Sequence, residues 1–115
     1  MKLVGIGASL GTISGKARVV LSPNDCETLN DGEVLVTRMT TPDYVPAFHK
    51  ASAVVTELGS MTCHAAIVAR EFQIPAVVGC GSALDEIKTG DQLTVSVEVA
   101  NENGNRTIEA TVEIG

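Results

Sequence analysis

The sequence predicts a single α/β domain in which short helices alternate with the strands of a mixed sheet. The 115 residues fit one compact core, with 44% hydrophobic and 19% charged residues. Short apolar segments rich in β-branched residues alternate with helical patterns through the first two thirds of the chain. The last third carries two segments of alternating apolar and polar residues around Asn103-Gly104, which is typical of an antiparallel hairpin.

The first elements are predicted from their turns. Residues 4–11 are rich in glycine, but they lack both the GxGxxG spacing and a GK[ST] step. We therefore interpret them as a bending segment with closely packed backbone, not as a phosphate-binding loop. A strand is predicted over residues 16–21, a turn over 22–25 and a second strand over 33–38, which follows an Asn-Asp-Gly turn.

The middle of the chain predicts helices between short buried strands. Thr41 is a candidate cap for a helix with Pro42 in its first turn, which ends near Ala51. A helix over residues 64–72 would bury one face at the i, i+3, i+4, i+7 spacing, and Pro75 would end it. The remaining predicted elements are strands over 53–56 and 76–79, a helical turn over 82–88, and the hairpin strands over 92–99 and 107–114.

Composition excludes several classes of function. The net charge of −6 and the aromatic content of 3% disfavour nucleic-acid binding, which needs basic and stacking residues. No apolar segment reaches the length of a membrane span. Cys26, Cys63 and Cys80 form neither a CxxC metal pair nor a disulfide framework, so we expect reduced thiols, no metal and a cytoplasmic protein. With three aromatic residues, the core must consist of Val, Ile, Leu and Ala.

The candidate reactive segment is the turn over residues 59–62, which is followed by His64 at the start of the predicted helix. The first N–H groups of a helix lack internal acceptors and carry partial positive charge, so they favour an anion. A neutral imidazole is a nucleophile near pH 7, and one ring nitrogen can fix the tautomer while the other attacks. However, a single histidine beside a helix is more often a cap or a surface residue, and the residues alone leave that alternative open.

A longer pattern around this histidine favours its role as a nucleophile. The run Gly59-Ser60-Met61-Thr62-Cys63-His64-Ala65-Ala66-Ile67-Val68-Ala69-Arg70, followed by Ile74-Pro75-Ala76-Val77-Val78-Gly79-Cys80, resembles the phosphohistidine signature of phosphoenolpyruvate-utilising enzymes. The family includes phosphoenolpyruvate synthase, pyruvate phosphate dikinase and enzyme I of the sugar phosphotransferase system. Residues 40–46 also resemble the MTxPDxVP segment of the synthases, and the resemblance covers roughly residues 5–95.

The resemblance implies that residues 1–115 form one swivelling β/β/α phosphohistidine domain, a component of a phosphotransferase. His64 would carry a phosphoryl group between an ATP-grasp nucleotide domain and a TIM barrel that binds pyruvate or phosphoenolpyruvate. Those partners would lie on other subunits or on a longer chain, and they would supply ATP and Mg²⁺, so we expect this domain to be inactive alone and to bind no cofactor. The surrounding residues Gly59, Ser60, Thr62, Cys63 and Ala65 would shape the phosphoryl site, with Thr62 as a hydrogen-bond donor or a helix cap.

Two alternatives remain at the level of sequence. The acceptor could be an antibiotic, a phenol or a sugar-transport protein, or the domain could be a non-catalytic regulatory module of the same fold. Ser60 replaces the second glycine of the family's usual pair, and residues 97–115 match the family poorly. We expect His49 to face solvent, and Arg70 to pair with Glu57, Glu71 or a neighbouring element without touching the phosphoryl group.

Overall fold

The computed structural model describes residues Met1–Gly115 as eight strands and three short α-helices, which confirms the predicted mixed α/β class. The strands are β1 (Lys2–Val4), β2 (Ile6–Ser9), β3 (Gly11–Val19), β4 (Val34–Thr37), β5 (Ala53–Thr56), β6 (Ala76–Val78), β7 (Gln92–Glu102) and β8 (Asn105–Ile114). The helices are α1 (Val45–Phe48), α2 (His64–Phe72) and α3 (Ala83–Glu86), with 3-10 segments at Pro23–Thr28 and Pro42–Tyr44. None of the helices has the length and apolar character that crossing a membrane requires.

The strands form two sheets that share β3 at one edge and are joined at the other by the short connection between β1 and β2. Their order is β1-β8-β7-β3-β4-β5-β6-β2, and the pairs β3–β4, β4–β5 and β5–β6 are parallel. The first part of β3 pairs with β7 and its last part with β4, so this strand passes from one sheet into the other. At the opposite edge β1 pairs with β8 while β2, one residue further on, pairs with β6. The result is a nearly closed pair of sheets.

Two apolar cores separate three layers. One core lies between the two sheets and includes Val36, Val55, Leu93 and Val112, all fully buried. The other lies between the outer face of β4, β5 and β6 and the helices α1 and α2, and Phe48 is its largest side chain. Because successive residues of a strand point to opposite faces, fully buried strands such as β4 contribute to both cores. The expectation of a core built mainly from Val, Ile, Leu and Ala is confirmed.

The N-terminal segment differs from its prediction. Close backbone packing is confirmed, since a Cβ atom on Gly5 would lie 2.6 Å from Val77 Cγ1 and 2.9 Å from the Val78 carbonyl oxygen. However, the glycine-rich residues form β2 and the start of β3 as well as the bend between β1 and β2. Short glycine-containing strands lack the clear alternation on which strand prediction depends.

The predicted helix after Thr41 is also shorter and less regular. A 3-10 segment precedes α1, which ends at Phe48 instead of Ala51. Thr41 lies at the N-cap position, but its side chain makes no capping bond, and its buried hydroxyl has no hydrogen-bond partner. The turn predicted over residues 22–25 continues into the first 3-10 segment.

One ion pair connects β3 to the turn before β4. Arg18 donates to the two carboxylate oxygens of Glu33 at 3.1 and 3.2 Å, and the Asn30 N–H donates to the same carboxylate at 2.7 Å. Burial is the largest single influence and raises the pKa of Glu33, but these hydrogen bonds and the Arg18 charge together lower it below its ordinary value. The folded state therefore holds this carboxylate in its ionised form more strongly than the unfolded chain does.

The first prediction concerns acid stability. A lowered pKa in the folded state gives stability that is present above the unfolded pKa of about 4.3 and is lost as the pH falls below it. Below about pH 4.3 the free energy of unfolding should fall less in Glu33→Gln than in the parent. The difference should be on the order of 1 kcal/mol or less, because the ion pair is partly exposed. Urea denaturation at several pH values measures this. Glu102→Gln, at an exposed carboxylate that faces Asn105 across the hairpin, is the control and should leave the slope unchanged. Equal slopes for Glu33→Gln and the parent would contradict the prediction.

Candidate functional site

His64 lies where three parallel strands end. The strands β4, β5 and β6 run in the same direction, so their carboxyl ends meet at one edge of the sheet. The chain leaves β5, passes through a loop of residues 57–63 and enters α2 at His64, the position predicted from sequence. Thr40 follows the end of β4 by three residues at the same edge. Parallel pairing therefore brings together two residues that are 24 positions apart in the chain.

The loop before α2 depends on one glycine. Gly59 has a φ of +128°, and a Cβ atom there would lie 2.8 Å from Cys63 Sγ. Residues other than glycine rarely adopt this backbone conformation. Ser60, which replaces the second glycine of the family's usual pair, has no positive φ. The turn thus requires glycine at position 59 alone, and the serine is compatible with it.

The imidazole of His64 is held by two neighbours. Its Nδ1 lies 2.8 Å from Thr40 Oγ1, and Thr40 is 4% exposed. Its ring also packs edge-to-face against Phe48, with centroids 6.3 Å apart and planes at 78°. Because Nδ1 is engaged by the hydroxyl, Nε2 is the ring nitrogen without a hydrogen-bond partner in the protein. The geometry leaves Nε2 available for reaction.

The start of α2 provides unpaired hydrogen-bond donors. The Ile67 N–H is the first helical amide with an acceptor, the Cys63 carbonyl at 3.1 Å. The N–H groups of His64, Ala65 and Ala66 have none, and no side chain caps the helix. No acidic residue lies in this first turn. The helix dipole adds positive potential at the same end, so an anion on the imidazole would be stabilised.

The polar residues of the loop do not act as sequence reasoning predicted. Cys63, not Thr62, occupies the N-cap position, with φ −72° and ψ 164°. Thr62 is exposed, and its hydroxyl lies 3.3 Å from Ser60 Oγ. The prediction that Thr62 caps the helix is therefore wrong, because the residue lies one position too early in the chain. Its hydroxyl remains accessible to a bound group.

A small, mostly apolar cavity opens beside the imidazole. Its volume is about 210 Å³, and it is lined by Met39, Thr40, Leu58, Gly59, Cys63, His64 and Ala65. No ionisable side chain other than His64 and Cys63 lines it. Met39 and Leu58 form its rim and are 50% and 47% exposed. A larger open cavity of about 450 Å³ lies between the 3-10 segments, but it contains no part of this site.

The site residue that sequence reasoning missed is Thr40. It was part of the segment that resembles the synthases, yet no role was assigned to it. A signal was available, because polar residues that follow parallel strands meet at the carboxyl edge of the sheet. Using that signal requires knowing that β4 and β5 are neighbours, which the local pattern does not reveal.

Two other expected positions are now placed. His49 is exposed at the end of α1 and packs edge-to-face on Phe72 at 4.8 Å, as expected for a surface residue. Arg70 pairs with neither Glu57 nor Glu71, so those two pairings were wrong. Its Nε donates to the Ala8 carbonyl in β2 at 2.7 Å, which agrees with the third option, a neighbouring element.

The three cysteines are free, and no group of three His, Cys, Asp or Glu side chains could hold a metal ion. Cys26 and Cys80 are buried, and burial raises the pKa of both thiols. For Cys80 the nearby Glu57 carboxylate raises the pKa further. Both buried thiols behave as small apolar residues. Cys63 is half-buried at the site itself.

Comparison with known proteins adds the family context. Residues 29–99 match the family described as "PEP-utilising enzyme, mobile domain". The chain is 51% identical over 96 residues to the "Probable phosphoenolpyruvate synthase" of Archaeoglobus fulgidus, and 47% identical over 97 residues to the "Phosphoenolpyruvate synthase" of a Synechocystis species. These alignments cover 84% of this chain but only 13% and 12% of the relatives, so the chain spans about an eighth of their length.

A solved structure agrees with this assignment. The solution structure of Enzyme I superposes on 78% of this chain and on 33% of its own length, with a TM-score of 0.59 and 29% sequence identity. The swivelling β/β/α architecture expected from the sequence is therefore confirmed.

The Thr40–His64 hydrogen bond gives the second prediction. Thr40→Val should destabilise the domain by about 1 kcal/mol, because it leaves Nδ1 without its partner. It should also mix the two neutral tautomers of His64, which ¹⁵N NMR of the imidazole measures. The matched control is Thr41→Val, which removes the neighbouring hydroxyl that has no partner. That variant should keep the tautomer ratio of the parent and be equally or more stable. An unchanged tautomer ratio in Thr40→Val would contradict the prediction.

Proposed function

The chain belongs to the family of PEP-utilising enzyme mobile domains, and from this membership we propose that it carries a phosphoryl group on Nε2 of His64. The observation that supports this most directly is the position of the imidazole. It lies at the start of α2 beside three unpaired N–H groups, with Nδ1 held by Thr40 and Nε2 free. The relatives named as phosphoenolpyruvate synthases favour transfer between a nucleotide site and a pyruvate or phosphoenolpyruvate site.

The proposed step is an in-line displacement at phosphorus. In the required tautomer Nδ1–H donates to Thr40 Oγ1, and the lone pair on Nε2 has no hydrogen-bond donor in the protein. That lone pair forms the N–P bond while the P–O bond to the donor breaks, and the oxygen keeps the electron pair. The proton on Nδ1 stays in place, so the ring carries positive charge beside the anionic phosphoryl group. In the second transfer a lone pair on an acceptor oxygen forms a P–O bond while the N–P bond breaks, and the electron pair of that bond returns to Nε2.

The groups on this chain bind and orient the phosphoryl group but do not neutralise it fully. The N–H groups of His64, Ala65 and Ala66 and the accessible Thr62 hydroxyl would donate hydrogen bonds to its oxygens. No lysine or arginine lines the cavity beside His64. The partner domains would therefore supply cationic residues, together with the nucleotide and Mg²⁺ that the resemblance implies. This explains why we propose that the domain is inactive without its partners.

The partner domains belong to the part of the enzyme that this chain does not cover. The chain spans about an eighth of its relatives' length, which leaves room for the proposed ATP-grasp domain and TIM barrel. The exposed apolar rim of Met39 and Leu58 is the surface that would contact them, because both residues line the cavity beside the imidazole. Contact there would also exclude water from the N–P bond.

The third prediction tests the phosphoryl carrier directly. The chain is incubated with ATP or phosphoenolpyruvate and the partner domains, and its intact mass is measured. We expect the addition of one phosphoryl group that is stable in base and lost in acid. His64→Gln should remain unlabelled, whereas His49→Gln, which removes the only other histidine, should be labelled like the parent. Equal labelling of His64→Gln and the parent would refute the proposal. A folded parent chain that no donor and partner can phosphorylate would favour a non-catalytic module.

The fourth prediction concerns the apolar rim. Leu58→Asn removes an apolar contact without adding charge, and it should lower kcat/KM for partner-dependent phosphorylation by about tenfold, the equivalent of roughly 1.4 kcal/mol. Because Leu58 is 47% exposed, the free energy of unfolding should change by less than about 0.5 kcal/mol. The matched control is Leu21→Asn, at a leucine that is 67% exposed and lies outside the cavity lining. The same loss of kcat/KM in both variants would contradict a specific role for the rim.

A further inference from the structure

Arg70 makes an unusual pair of contacts on the helix that begins with His64. It is an exposed residue in the last turn of α2. Its Nε donates to the Ala8 carbonyl oxygen in β2 at 2.7 Å, and one terminal nitrogen donates to the carbonyl oxygen of Met61. One guanidinium therefore connects α2, β2 and the loop that presents His64.

Both acceptors are carbonyls that secondary structure leaves open. The pairing of β2 with β6 is irregular between Gly7 and Ser9, and its register skips Ala8. Met61 precedes the helix, and its carbonyl accepts no backbone hydrogen bond. A guanidinium carries its N–H donors in a rigid planar fork, which suits two carbonyls that face it from different elements. An ammonium group on a lysine lacks this geometry.

Surface charge does not explain the position of Arg70. The only ion pair in the domain joins Arg18 and Glu33. Glu57, which is near enough in sequence to be a candidate, instead accepts a hydrogen bond from the Leu84 N–H at 3.0 Å. The guanidinium of Arg70 therefore donates only to backbone carbonyls. One of these belongs to Met61, three positions before His64.

We propose that Arg70 is a positioning residue that fixes the loop of residues 59–63 against β2 and so fixes the orientation of the His64 imidazole. The other hydrogen bonds of this loop are mostly internal: the Cys63 N–H donates to the Ser60 carbonyl at 3.1 Å, and the Thr62 N–H and hydroxyl lie 3.4 and 3.3 Å from Ser60 Oγ. Among them, only the Ile67 N–H, which donates to the Cys63 carbonyl at 3.1 Å, links the loop to α2. Without Arg70, Met61 loses the bond that ties it to the body of the domain. This inference rests on the proposed function only in its kinetic consequence.

The fifth prediction follows from this role. Arg70→Ala should lower the single-turnover rate of His64 phosphorylation by on the order of 10- to 100-fold, the range expected for a misplaced reacting group. Arg70→Lys should recover only part of the rate, because it keeps the charge and loses the fork. Added guanidinium or methylguanidinium at millimolar concentration should restore the Arg70→Ala rate. Arg106→Ala, at an exposed arginine on the β7–β8 hairpin, is the control and should match the parent.

A second measurement needs no partner. Amide hydrogen exchange in the isolated domain should accelerate at residues 60–63 in Arg70→Ala and not in the core strands. Exchange at the parent rate in this loop, or phosphorylation at the parent rate, would overturn the inference. A uniform acceleration throughout the domain without guanidinium rescue would also overturn it, because Arg70 would then be a general stabilising residue. If the parent itself is never phosphorylated, the proposed function fails, and the exchange measurement still decides the positioning role.

Discussion

The arrangement of the site depends on one topological constraint, the parallel pairing of β4, β5 and β6. A parallel connection must return along the sheet, so the chain leaves β5 at its carboxyl end, and α2 starts at that edge before it leads back to β6. The same constraint places the segment after β4 beside the start of α2. The Thr40–His64 hydrogen bond, the unpaired helix N–H groups and the apolar cavity all lie at that edge as a consequence.

The apolar core between the sheet and the helices restricts the position of α2 further. Phe48 is buried beneath the imidazole and packs on Phe72 at the other end of α2, with centroids 6.0 Å apart. The alanines on the inner face of α2 let the helix lie close to the sheet, because their side chains are small. The helix therefore has little freedom to rotate, and a ring attached to its first residue shares that restriction.

Local features of the fold were predictable from sequence, while contacts between distant segments were not. The start of α2 at His64, its buried face and the β7–β8 hairpin follow from patterns within a few residues. Thr40 and Arg70 could not be assigned in this way, because their partners are 24 and 62 positions away and depend on strand order and on an irregularity in β2. Thr62 was expected either to bind the phosphoryl group or to cap the helix, because threonine is a favoured N-cap residue. The backbone instead places Cys63 there.

The pairing of β1 with β8 determines how the domain responds to force. These strands are antiparallel, and the Ile114 N–H donates to the Met1 carbonyl oxygen at 2.8 Å, so the first and last residues lie side by side. A force that pulls β1 away from β8 at this end would load the hydrogen bonds between the two strands one at a time, beginning with the outermost. This pairing therefore resists such a force less than it would resist sliding of the two strands along each other, which loads all of the hydrogen bonds together.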